Sequence, residues 1–326
     1  MRLKRHPANP IFEKNPANHW EAGSVLNPNV LYENGIFRMV YRATNDIKTD
    51  KAGGYVSSIG YAESKDGIHF KRYPTPLIAP DQEYECSLGC EDPRVSEIDG
   101  QYFLYYTAVA GMGTERDARI ALATSKDFQK FIKHGIVGPQ YTTSKAAVLF
   151  PEKVSNQYVV FYTWRSDTPT SSIIQARFDR LEDVIKPPNG FMADNIDHYN
   201  ENVVFDPPLK VYRGAEVGAV PIKTDSGWLF IYCNANVSNH AEWTISAALL
   251  DLQDPGHILA ETEEPILRPE TEGEKNGVIN NVTFPSGAVV VGEELYVYYG
   301  SGDQGCCLAT CNLNELLEYL KSHMRL

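Results

Sequence analysis

The stretch GCEDPRVSEIDGQYFLYYTAVAG, residues 89–111, combines a predicted β-hairpin with a cluster of charges at its start. Val95–Ile98 and Tyr102–Val109 are alternating apolar runs, and Asp99-Gly100 between them is a two-residue turn signal. Glu91–Arg94 places two adjacent carboxylates, a proline and an arginine where an apolar residue would fold more easily. The stretch therefore predicts a hairpin whose first strand begins at a functional site.

The hairpin pattern of this stretch recurs along the chain, which indicates a repeat architecture. Each copy has an apolar run, a two-residue turn and a second apolar run, with turns at Asn34-Gly35, Asp99-Gly100, Ser155-Asn156, Ser226-Gly227 and Gly292-Glu293. A third strand rich in small residues follows each hairpin, and an outer strand follows in the first two copies. Five copies of four strands predict an all-β fold, a five-bladed β-propeller that forms a single domain over residues 1–326. A β-sandwich is the alternative, but it would not explain a repeat this long.

The C-terminal tail is the one segment whose pattern is helical. Within Asn314–Leu320, the side chains of Leu316, Leu317 and Leu320 fall on one face of a helix. We therefore expect a short C-terminal helix.

The residues before the first hairpin strand of each repeat are polar or charged, which core packing does not require. In a propeller the innermost strand lines the central channel, and its start lies at the face where ligands bind. We therefore expect a pocket at the channel that is walled by residues from five repeats. These residues are Asn27, Asp92, Lys145, Glu216 and Asp303.

Composition and charge argue against several classes of partner. The formal net charge of −12 and the lack of a basic stripe argue against nucleic acid. No apolar run approaches membrane-spanning length, and no apolar segment follows the basic N-terminus, so we expect neither a membrane span nor a signal peptide. The six cysteines form no CxxC pair, and Cys306, Cys307 and Cys311 have no neighbouring histidine. We therefore expect reduced thiols, no metal and a cytoplasmic protein.

Asp92 is the centre of the predicted chemistry. Because Glu91 is adjacent, one carboxyl of the pair could stay protonated while the other is ionised. The alternative is that Arg94 only bridges to one of these carboxylates and pins the hairpin. The sequence contains no glycine-rich phosphate loop, HExxH or GxSxG motif, so nucleotide binding, zinc proteolysis and serine hydrolysis have no support.

Aromatic residues are frequent near the predicted strand ends. The set comprises Tyr41, Tyr106, Tyr162, Trp164, Tyr232 and Tyr299. We expect most of them in the core, although one or two could stack against a sugar ring.

Motifs spread over nearly the whole chain form a series. They are Glu91-Asp92-Pro93-Arg94, Leu149-Phe150-Pro151-Glu152-Lys153, Gly227-Trp228-Leu229, Ala248-Leu249-Leu250-Asp251, Pro265-Ile266-Leu267 and Tyr298-Tyr299-Gly300 with Asp303. In order and spacing this series resembles glycoside hydrolase family 130. That family consists of five-bladed propellers that act on β-mannosides, mostly inverting phosphorylases with some β-mannosidases. The resemblance implies an inverting enzyme that cleaves β-mannosides.

The resemblance also implies roles for individual residues. Asp92 matches the family's catalytic acid, which is thought to protonate the glycosidic oxygen through a hydroxyl of the bound mannose. The positions that look like sugar-binding residues are Asn27, Arg42, Glu91, Arg94 and Asp303. For Arg42 and Asp303, a salt bridge between repeats is the alternative.

The resemblance leaves the nucleophile open. Lys145 and Arg165 match basic residues that bind phosphate, the co-substrate of a phosphorylase, and we expect no other cofactor. The family's histidine after the fourth hairpin is replaced here by Cys233, which puts phosphorolysis in doubt. A hydrolase instead needs a carboxylate base about 6.5 to 9.5 Å from the acid, and the candidates are Glu216 and Glu201.

Two cations near one channel mouth favour a bound anion, because phosphate would satisfy both through charge-assisted hydrogen bonds. We therefore expect phosphorolysis of a β-mannoside to α-mannose 1-phosphate. An inverting β-mannosidase is the alternative, and a carbohydrate-binding propeller without activity is a third hypothesis. The expected partner is an oligosaccharide, and a homo-oligomer is left open.

Overall fold

A computed structural model describes residues 1–46, 55–86, 88–110, 117–139, 142–166, 171–188, 196–206, 213–236 and 241–324 of the 326-residue chain. This part of the chain is predominantly β, as the sequence predicts. Its strands, in chain order, are β1 (Lys4–Arg5), β2 (Ser24–Glu33), β3 (Ile36–Thr44), β4 (Ser57–Ser64), β5 (Lys71–Arg72), β6 (Gly89–Ile98), β7 (Gln101–Ala110), β8 (Asp117–Ser125), β9 (Ile132–Ile136), β10 (Ser144–Leu149), β11 (Tyr158–Trp164), β12 (Ser172–Phe178), β13 (Val203–Phe205), β14 (Arg213–Glu216), β15 (Ile222–Thr224), β16 (Gly227–Asn236), β17 (Glu242–Leu250), β18 (Ile258–Glu261), β19 (Thr283–Val291), β20 (Glu294–Ser301) and β21 (Gly305–Asn312). Its α-helices are α1 (Leu181–Ile185), α2 (Ile196–Asn202), α3 (Glu272–Lys275) and α4 (Leu313–Lys321).

The strands form antiparallel meanders in which neighbours along the chain are mostly neighbours in the sheet. The first meander, β2 to β5, and the second, β6 to β9, share one sheet through a single parallel pair between Ser57 and Gly89. The third meander is β10 to β13, and the fourth is β14 to β18, in which β14 and β15 both pair with β16. The fifth has the strand order β1-β21-β20-β19, so the N-terminal strand completes the last sheet of the chain.

The hydrophobic core lies between successive meanders. Phe161 of the third meander packs edge-on against Phe230 of the fourth, with ring centroids 5.5 Å apart. Separate buried clusters join the first meander to the second, the second to the third and the fourth to the fifth. A further cluster joins the fifth back to the first and contains Tyr298 and Tyr41. The packing order is therefore cyclic.

Tight turns with left-handed backbone connect the hairpin strands. At Asn34-Gly35 the φ values are 52° and 76°, and at Asp99-Gly100 they are 54° and 74°. Two successive positive φ values are typical of the type I′ turn, whose twist matches that of the flanking strands. These two predicted turns are confirmed. The fourth hairpin turns one residue earlier than predicted, because Thr224 pairs with Gly227 across the turn.

The C-terminal helix is confirmed as α4. The side chain of Asn312 caps its N-terminus by accepting a hydrogen bond from the backbone N–H of Glu315 at 3.1 Å. Leu316 and Leu320 are fully buried, and the helix packs against β17, β18 and β21. The shorter helices α1 to α3 were not predicted, because one or two turns of helix present too few apolar residues to show a period.

Three turns that lead into the meanders are fixed by one arrangement, which we call a carboxylate clamp. In each clamp a glutamate that is at most 1% exposed accepts a hydrogen bond from a tyrosine hydroxyl and pairs with a cation. The clamps are Glu21 with Tyr41 and Arg72, Glu85 with Tyr106 and Lys133, and Glu274 with Tyr299 and Arg5. They precede the first strands of the first, second and fifth meanders. Because an unpaired buried carboxylate would cost several kcal/mol, each clamp holds its turn in one position.

Candidate active site

In the first three meanders, a register shift in the first strand changes the direction of the candidate site side chains. In β2 the ladder with β3 skips Asn27 and Pro28, and in β6 the ladder with β7 skips Asp92 and Pro93. Asn27 and Asp92 have left-handed φ values of 50° and 49°. A similar shift follows Lys145 in β10. Because a bulge interrupts the alternation of a strand and re-aims a side chain, these residues leave the regular pattern of the sheet.

The re-aimed side chains open on a cavity of about 240 Å³. The predicted site residues that line it are Asn27, Arg42, Glu91, Asp92, Lys145, Glu216 and Asp303. They come from strands or turns of all the meanders, although they are far apart in sequence. The structure thus brings most of the predicted residues together around one cavity.

The carboxylate of Asp92 receives two hydrogen bonds on one oxygen. Its Oδ1 accepts from Asn27 Nδ2 at 2.7 Å and from Arg42 Nη1 at 3.2 Å. Burial raises the pKa of Asp92, but the charges of Arg42, Arg94 and Lys145 lower it by more. The pKa of Asp92 therefore lies below its ordinary value. Asp92 is therefore ionised at neutral pH when the cavity holds no ligand.

Arg42 joins the two adjacent carboxylates. Its Nη2 donates to Glu91 Oε1 at 2.7 Å, and its Nε donates to Ser57 Oγ at 3.2 Å. Burial lowers the pKa of Arg42, but Glu91 and Asp92 raise it well above its ordinary value. The side chain both forms a salt bridge between two meanders and lines the cavity, so the two interpretations of Arg42 do not exclude each other.

Arg94 lies behind Asp92 and outside the cavity lining. It is fully buried, and its Nη1 donates to the backbone oxygen of Asp92 at 2.9 Å. Its Nε and Nη2 donate to the backbone oxygens of Gly218 at 3.0 Å and Val217 at 3.2 Å. The side chain therefore ties the start of β6 to the fourth meander. This geometry fits the interpretation in which Arg94 pins the hairpin, although it does so through a backbone oxygen of Asp92 and not through the carboxylate bridge that was expected.

Lys145 of the third meander and Glu216 of the fourth line the same cavity. Both side chains are half-buried. Glu216 pairs in register with Cys233, the residue that replaces the expected histidine. Burial and the nearby Glu216 charge raise the pKa of the Cys233 thiol well above its ordinary value. Cys233 is therefore a neutral buried thiol and brings no positive charge to an anion.

Two further predicted residues, besides Arg94, lie outside this lining. Arg165 is exposed, with its guanidinium carbon 4.1 Å from the centroid of the Trp164 ring. It directly follows Trp164, which pairs with Ser144, so it lies at the same end of the third meander as Lys145. Glu201 is exposed on α2. The structure therefore leaves Arg165 beside the cavity and does not bring Glu201 to it.

Asp303 lies in the turn between β20 and β21 and has a left-handed φ of 54°. Burial is the main cause that raises its pKa to about 6, and the charges of Asp92 and Glu91 add to the increase although Arg42 opposes it. Asp92 and Asp303 are thus two carboxyls in one cavity whose surroundings move their pKa values in opposite directions. Such pairs are typical of acid–base sites.

The aromatic side chains that line the cavity were not predicted from the sequence. Tyr55, Trp243 and Phe284 line it, and each is half-buried. The aromatic residues named from the sequence, among them Tyr41 and Tyr162, are buried in the core. Each of the three lies just before or near the start of a strand, and that position is a signal which could have identified them.

The described residues contain neither a candidate metal cluster nor a candidate membrane-spanning helix. No group of three or more histidine, cysteine, aspartate or glutamate side chains there could hold a metal ion. No helix in that part of the chain is long and apolar enough to cross a membrane. The six cysteines are free thiols, of which Cys86 is exposed and the others are buried.

Comparison with known proteins identifies the class of this protein. A family model described as beta-1,4-mannooligosaccharide phosphorylase matches residues 2–322. The 1,2-beta-oligomannan phosphorylase of Thermoanaerobacter sp. (strain X514) is 36% identical over 318 residues, which cover 97% of this chain and 99% of that protein. The beta-1,2-mannobiose phosphorylase of Listeria innocua serovar 6a is 33% identical over 287 residues, or 82% of this chain and 70% of that protein. These matches define a class of carbohydrate-active enzymes. The chain belongs to glycoside hydrolase family 130.

A solved structure supports the same fold. The complex of a beta-1,2-mannobiose phosphorylase from Listeria innocua with beta-1,2-mannobiose superposes with a TM-score of 0.80. The two chains are 24% identical, and the match covers 99% of this chain and 100% of the other. At this level of identity the likeness establishes a shared fold.

Proposed function

We propose that this protein is an inverting β-mannoside phosphorylase that uses inorganic phosphate to release α-mannose 1-phosphate. The observation that carries the proposal is the cavity shared by Asp92 and Lys145, a candidate proton donor and a candidate phosphate-binding cation. The relatives that are 33–36% identical are named phosphorylases, which supports phosphorolysis over hydrolysis. We propose an oligosaccharide as the substrate and no cofactor besides phosphate.

The architecture that we propose is a five-bladed β-propeller, with one domain over residues 1–326. The cyclic order of the buried clusters supports it, because the fifth meander packs on the first. The pairing of β1 with β21 also supports it, since strands from both ends of the chain then share one blade. A closed ring of blades leaves only short strand edges exposed.

The linkage that we propose is β-1,2. Three relatives at 33–36% identity carry β-1,2 names, whereas the β-1,4-mannooligosaccharide phosphorylase of Ruminococcus albus is 26% identical. The higher identity supports a β-1,2-linked mannoside as the substrate of this chain.

The mannose that is transferred is bound, in this proposal, by Asn27, Arg42 and Asp303. Arg42 and Asn27 each donate a hydrogen bond to Asp92. These bonds fix the orientation of the Arg42 guanidinium and the Asn27 amide before a sugar binds. Glu91 anchors Arg42 from the other side. Donors that need no reorganisation bind a ligand at a lower entropic cost.

Asp92 is proposed as the acid, acting through a hydroxyl of the mannose. The glycosidic oxygen gains the proton as its bond to C1 breaks, and a phosphate oxygen forms the new bond to C1 from the opposite face. The proton on hydrogen phosphate leaves with the product or returns to the Asp92 carboxylate. The reaction therefore needs Asp92 protonated, although its pKa is lowered in the empty cavity.

Binding of phosphate resolves this conflict in our proposal. Lys145 is one of the charges that lower the pKa of Asp92. A phosphate dianion bound at Lys145 would neutralise that charge and add a negative one nearby, and both changes raise the pKa of Asp92. The nucleophile would thus prepare the acid. We propose that Arg165, at the same end of the third meander, turns from the Trp164 ring to become the second phosphate ligand.

Hydrolysis is the second candidate, and the position of Glu216 favours it. Glu216 is a half-buried carboxylate in the same cavity as Asp92, where it could act as a base for water. Among the two predicted bases, Glu201 is exposed on α2 and is no longer a candidate in this proposal.

The experiment that tests the function is incubation with β-1,2-mannobiose in the presence and absence of inorganic phosphate, with products identified by NMR. We expect equimolar α-mannose 1-phosphate and mannose, and no reaction when phosphate is removed. Release of free mannose alone, at the same rate without phosphate, would establish a hydrolase, and Glu216→Gln would then be the first variant to make.

A further inference from the structure

Arg94 has the place in the second meander that Asn29 has in the first. Each is the first residue that pairs again after the register shift of its strand. Asn29 reaches two other meanders, because its Nδ2 donates to the oxygen of Ser286 at 2.7 Å and its Oδ1 accepts from the backbone N–H of Val95 at 3.0 Å. A neutral amide is therefore sufficient to tie the start of such a strand to its surroundings.

Arg94 makes a similar tie with a charged group that is fully buried. Its hydrogen bonds to described residues go to the backbone oxygens of Asp92, Val217 and Gly218. Its guanidinium carbon also lies over the ring of Phe284, 5.5 Å from the centroid. Burying a charge costs more free energy than burying an amide with hydrogen-bond partners. A cation at this position therefore needs a reason besides attachment.

The hydrogen bonds of Arg94 connect the second meander to the far side of the cavity. In the cyclic packing order the third meander lies between the second and the fourth, so Arg94 links two meanders that are not neighbours. Val217 directly follows Glu216, and its backbone N–H donates to Thr163 Oγ1 at 2.9 Å. Thr163 in turn pairs with Lys145. One chain of hydrogen bonds thus runs from the second meander through Arg94 to the strands that carry Glu216 and Lys145.

The charge of Arg94 acts on Asp92 with or without a ligand in the cavity. The other charged or titratable groups around these two residues are Glu91 on β6, Arg42 on β3, Tyr55 before β4, Lys145 on β10, Glu216 on β14, Cys233 on β16 and Asp303 after β20. Phosphate is proposed to bind Lys145, and the sugar is proposed to bind Arg42, so ligands change the effect of both cations. Arg94 lies outside the cavity lining, so its effect on Asp92 persists in the enzyme–substrate complex.

We propose that Arg94 is a positioning residue for the reaction: it fixes the distance between Asp92 and the phosphate side of the cavity and supplies a permanent positive charge beside Asp92. This inference rests on the proposed phosphorolysis. The Asp92 carboxyl becomes a carboxylate when its proton passes through the mannose hydroxyl to the glycosidic oxygen, and the Arg94 charge stabilises that carboxylate. The hydrogen bonds of Arg94 hold the acid and the phosphate at the separation that the sugar requires.

The test is the pH dependence of kcat at saturating phosphate and β-1,2-mannobiose, which reports ionisations in the enzyme–substrate complex. The rate falls as the pH rises through the pKa of the acid, and the charge of Arg94 lowers that pKa. Arg94→Gln removes the charge, so this fall should move to higher pH by about one unit or more. Arg94→Lys keeps the charge but cannot reach all three acceptors. Its kcat should decrease about tenfold, with the fall at the wild-type pH.

The matched control is Asn29→Ala, which cuts the neutral tie of the first meander. It should lower the melting temperature and leave the pH of the fall unchanged. If Arg94→Gln also lowers only the melting temperature and keeps the wild-type pH profile, Arg94 is purely structural and the inference is overturned.

A variant at the other end of the hydrogen-bond chain decides if the Arg94 variants fail to fold. Thr163→Val releases the N–H of Val217, so kcat should fall while the KM for mannobiose changes little. A wild-type kcat in this variant would overturn the positioning role. A wild-type protein without phosphate-dependent cleavage of mannobiose would instead refute the proposed function.

Discussion

The two sides of the cavity are held in place by different means. The first, second and fifth meanders supply the residues around Asp92, and each contains a carboxylate clamp with a fully paired buried glutamate. Two ion pairs that join the third and fourth meanders, Arg177 with Asp254 and Lys223 with Glu152, lie at the surface. A tyrosine also donates to a glutamate in the fourth meander, from Tyr232 to Glu261, but over a longer distance of 3.4 Å. The comparison teaches that buried, paired carboxylates pre-organise the side of the cavity that is proposed for the sugar.

The largest expected effect comes from Asp92→Asn on the clamped side. The amide is nearly isosteric but cannot supply a proton, so kcat on β-1,2-mannobiose should fall by about 10²- to 10⁴-fold. Steady-state kinetics with the melting temperature measured in parallel would check this. The matched control is Asp225→Asn, at an exposed turn position. A variant at Asp92 that keeps most of the wild-type kcat would remove this residue from the mechanism.

The next effect tests the clamp itself. Glu85→Gln keeps the shape of the side chain but leaves Lys133 without its buried partner. Removing one partner of a buried ion pair is strongly destabilising, because the other charge stays buried without compensation. The free energy of unfolding should therefore fall by about 3 kcal/mol. Urea denaturation would measure it. Glu152→Gln on the other side is the control, and because its pair with Lys223 lies at the surface it should cost below about 1 kcal/mol. Equal losses at both positions would end the distinction between the two sides.

On the nucleophile side, Lys145→Ala should weaken phosphate binding. A charge-assisted hydrogen bond contributes about 1.5 to 3 kcal/mol, so the KM for phosphate should rise roughly ten- to a hundredfold. The KM for mannobiose should change less, because the sugar is proposed to bind on the other side. Lys126→Ala, at an exposed lysine, serves as the control. An equal rise in both KM values would show that Lys145 does not act on phosphate in particular.

The smallest effect concerns the pH dependence of stability. The pKa of Asp303 is raised to about 6 from an ordinary value of 3.8, so the folded protein binds this proton more tightly than the unfolded chain. Its stabilising contribution is therefore present below about pH 4 and is lost as the pH rises through about 6. Asp303→Asn mimics the protonated form and should gain stability relative to wild type over this range.

The expected gain is about 1 to 2 kcal/mol, less than the full pKa shift implies because the surroundings relax around the ion. Thermal unfolding of both proteins between pH 4 and 7 would measure it. A difference between the two proteins that stays constant with pH would mean that Asp303 titrates normally.

The sequence predicted those parts of the site whose direction is set locally. Asp92 and Asn27 each stand before a proline at the same place in the repeat, and the register shift there belongs to the strand itself. The direction of the Arg94 side chain could not be predicted, because it depends on the carbonyls of Val217 and Gly218, which are distant in the chain. No local pattern could indicate those acceptors. Trp243 was overlooked although it lies near the start of a strand, because only the packing of the meanders decides which such residues reach the cavity.

The sequence by itself determined the strands, the turns at Asn34-Gly35 and Asp99-Gly100 and the short helix α4, because all of these depend on periods and turn residues within a few positions. It also determined the family, through motifs in a fixed order. Only the tertiary structure decided which polar side chains share a cavity, because that depends on how the ends of different sheets pack. It alone set Arg42 between Glu91 and Asp92 and raised the pKa of Asp303, since burial and neighbouring charges come from residues remote in the chain.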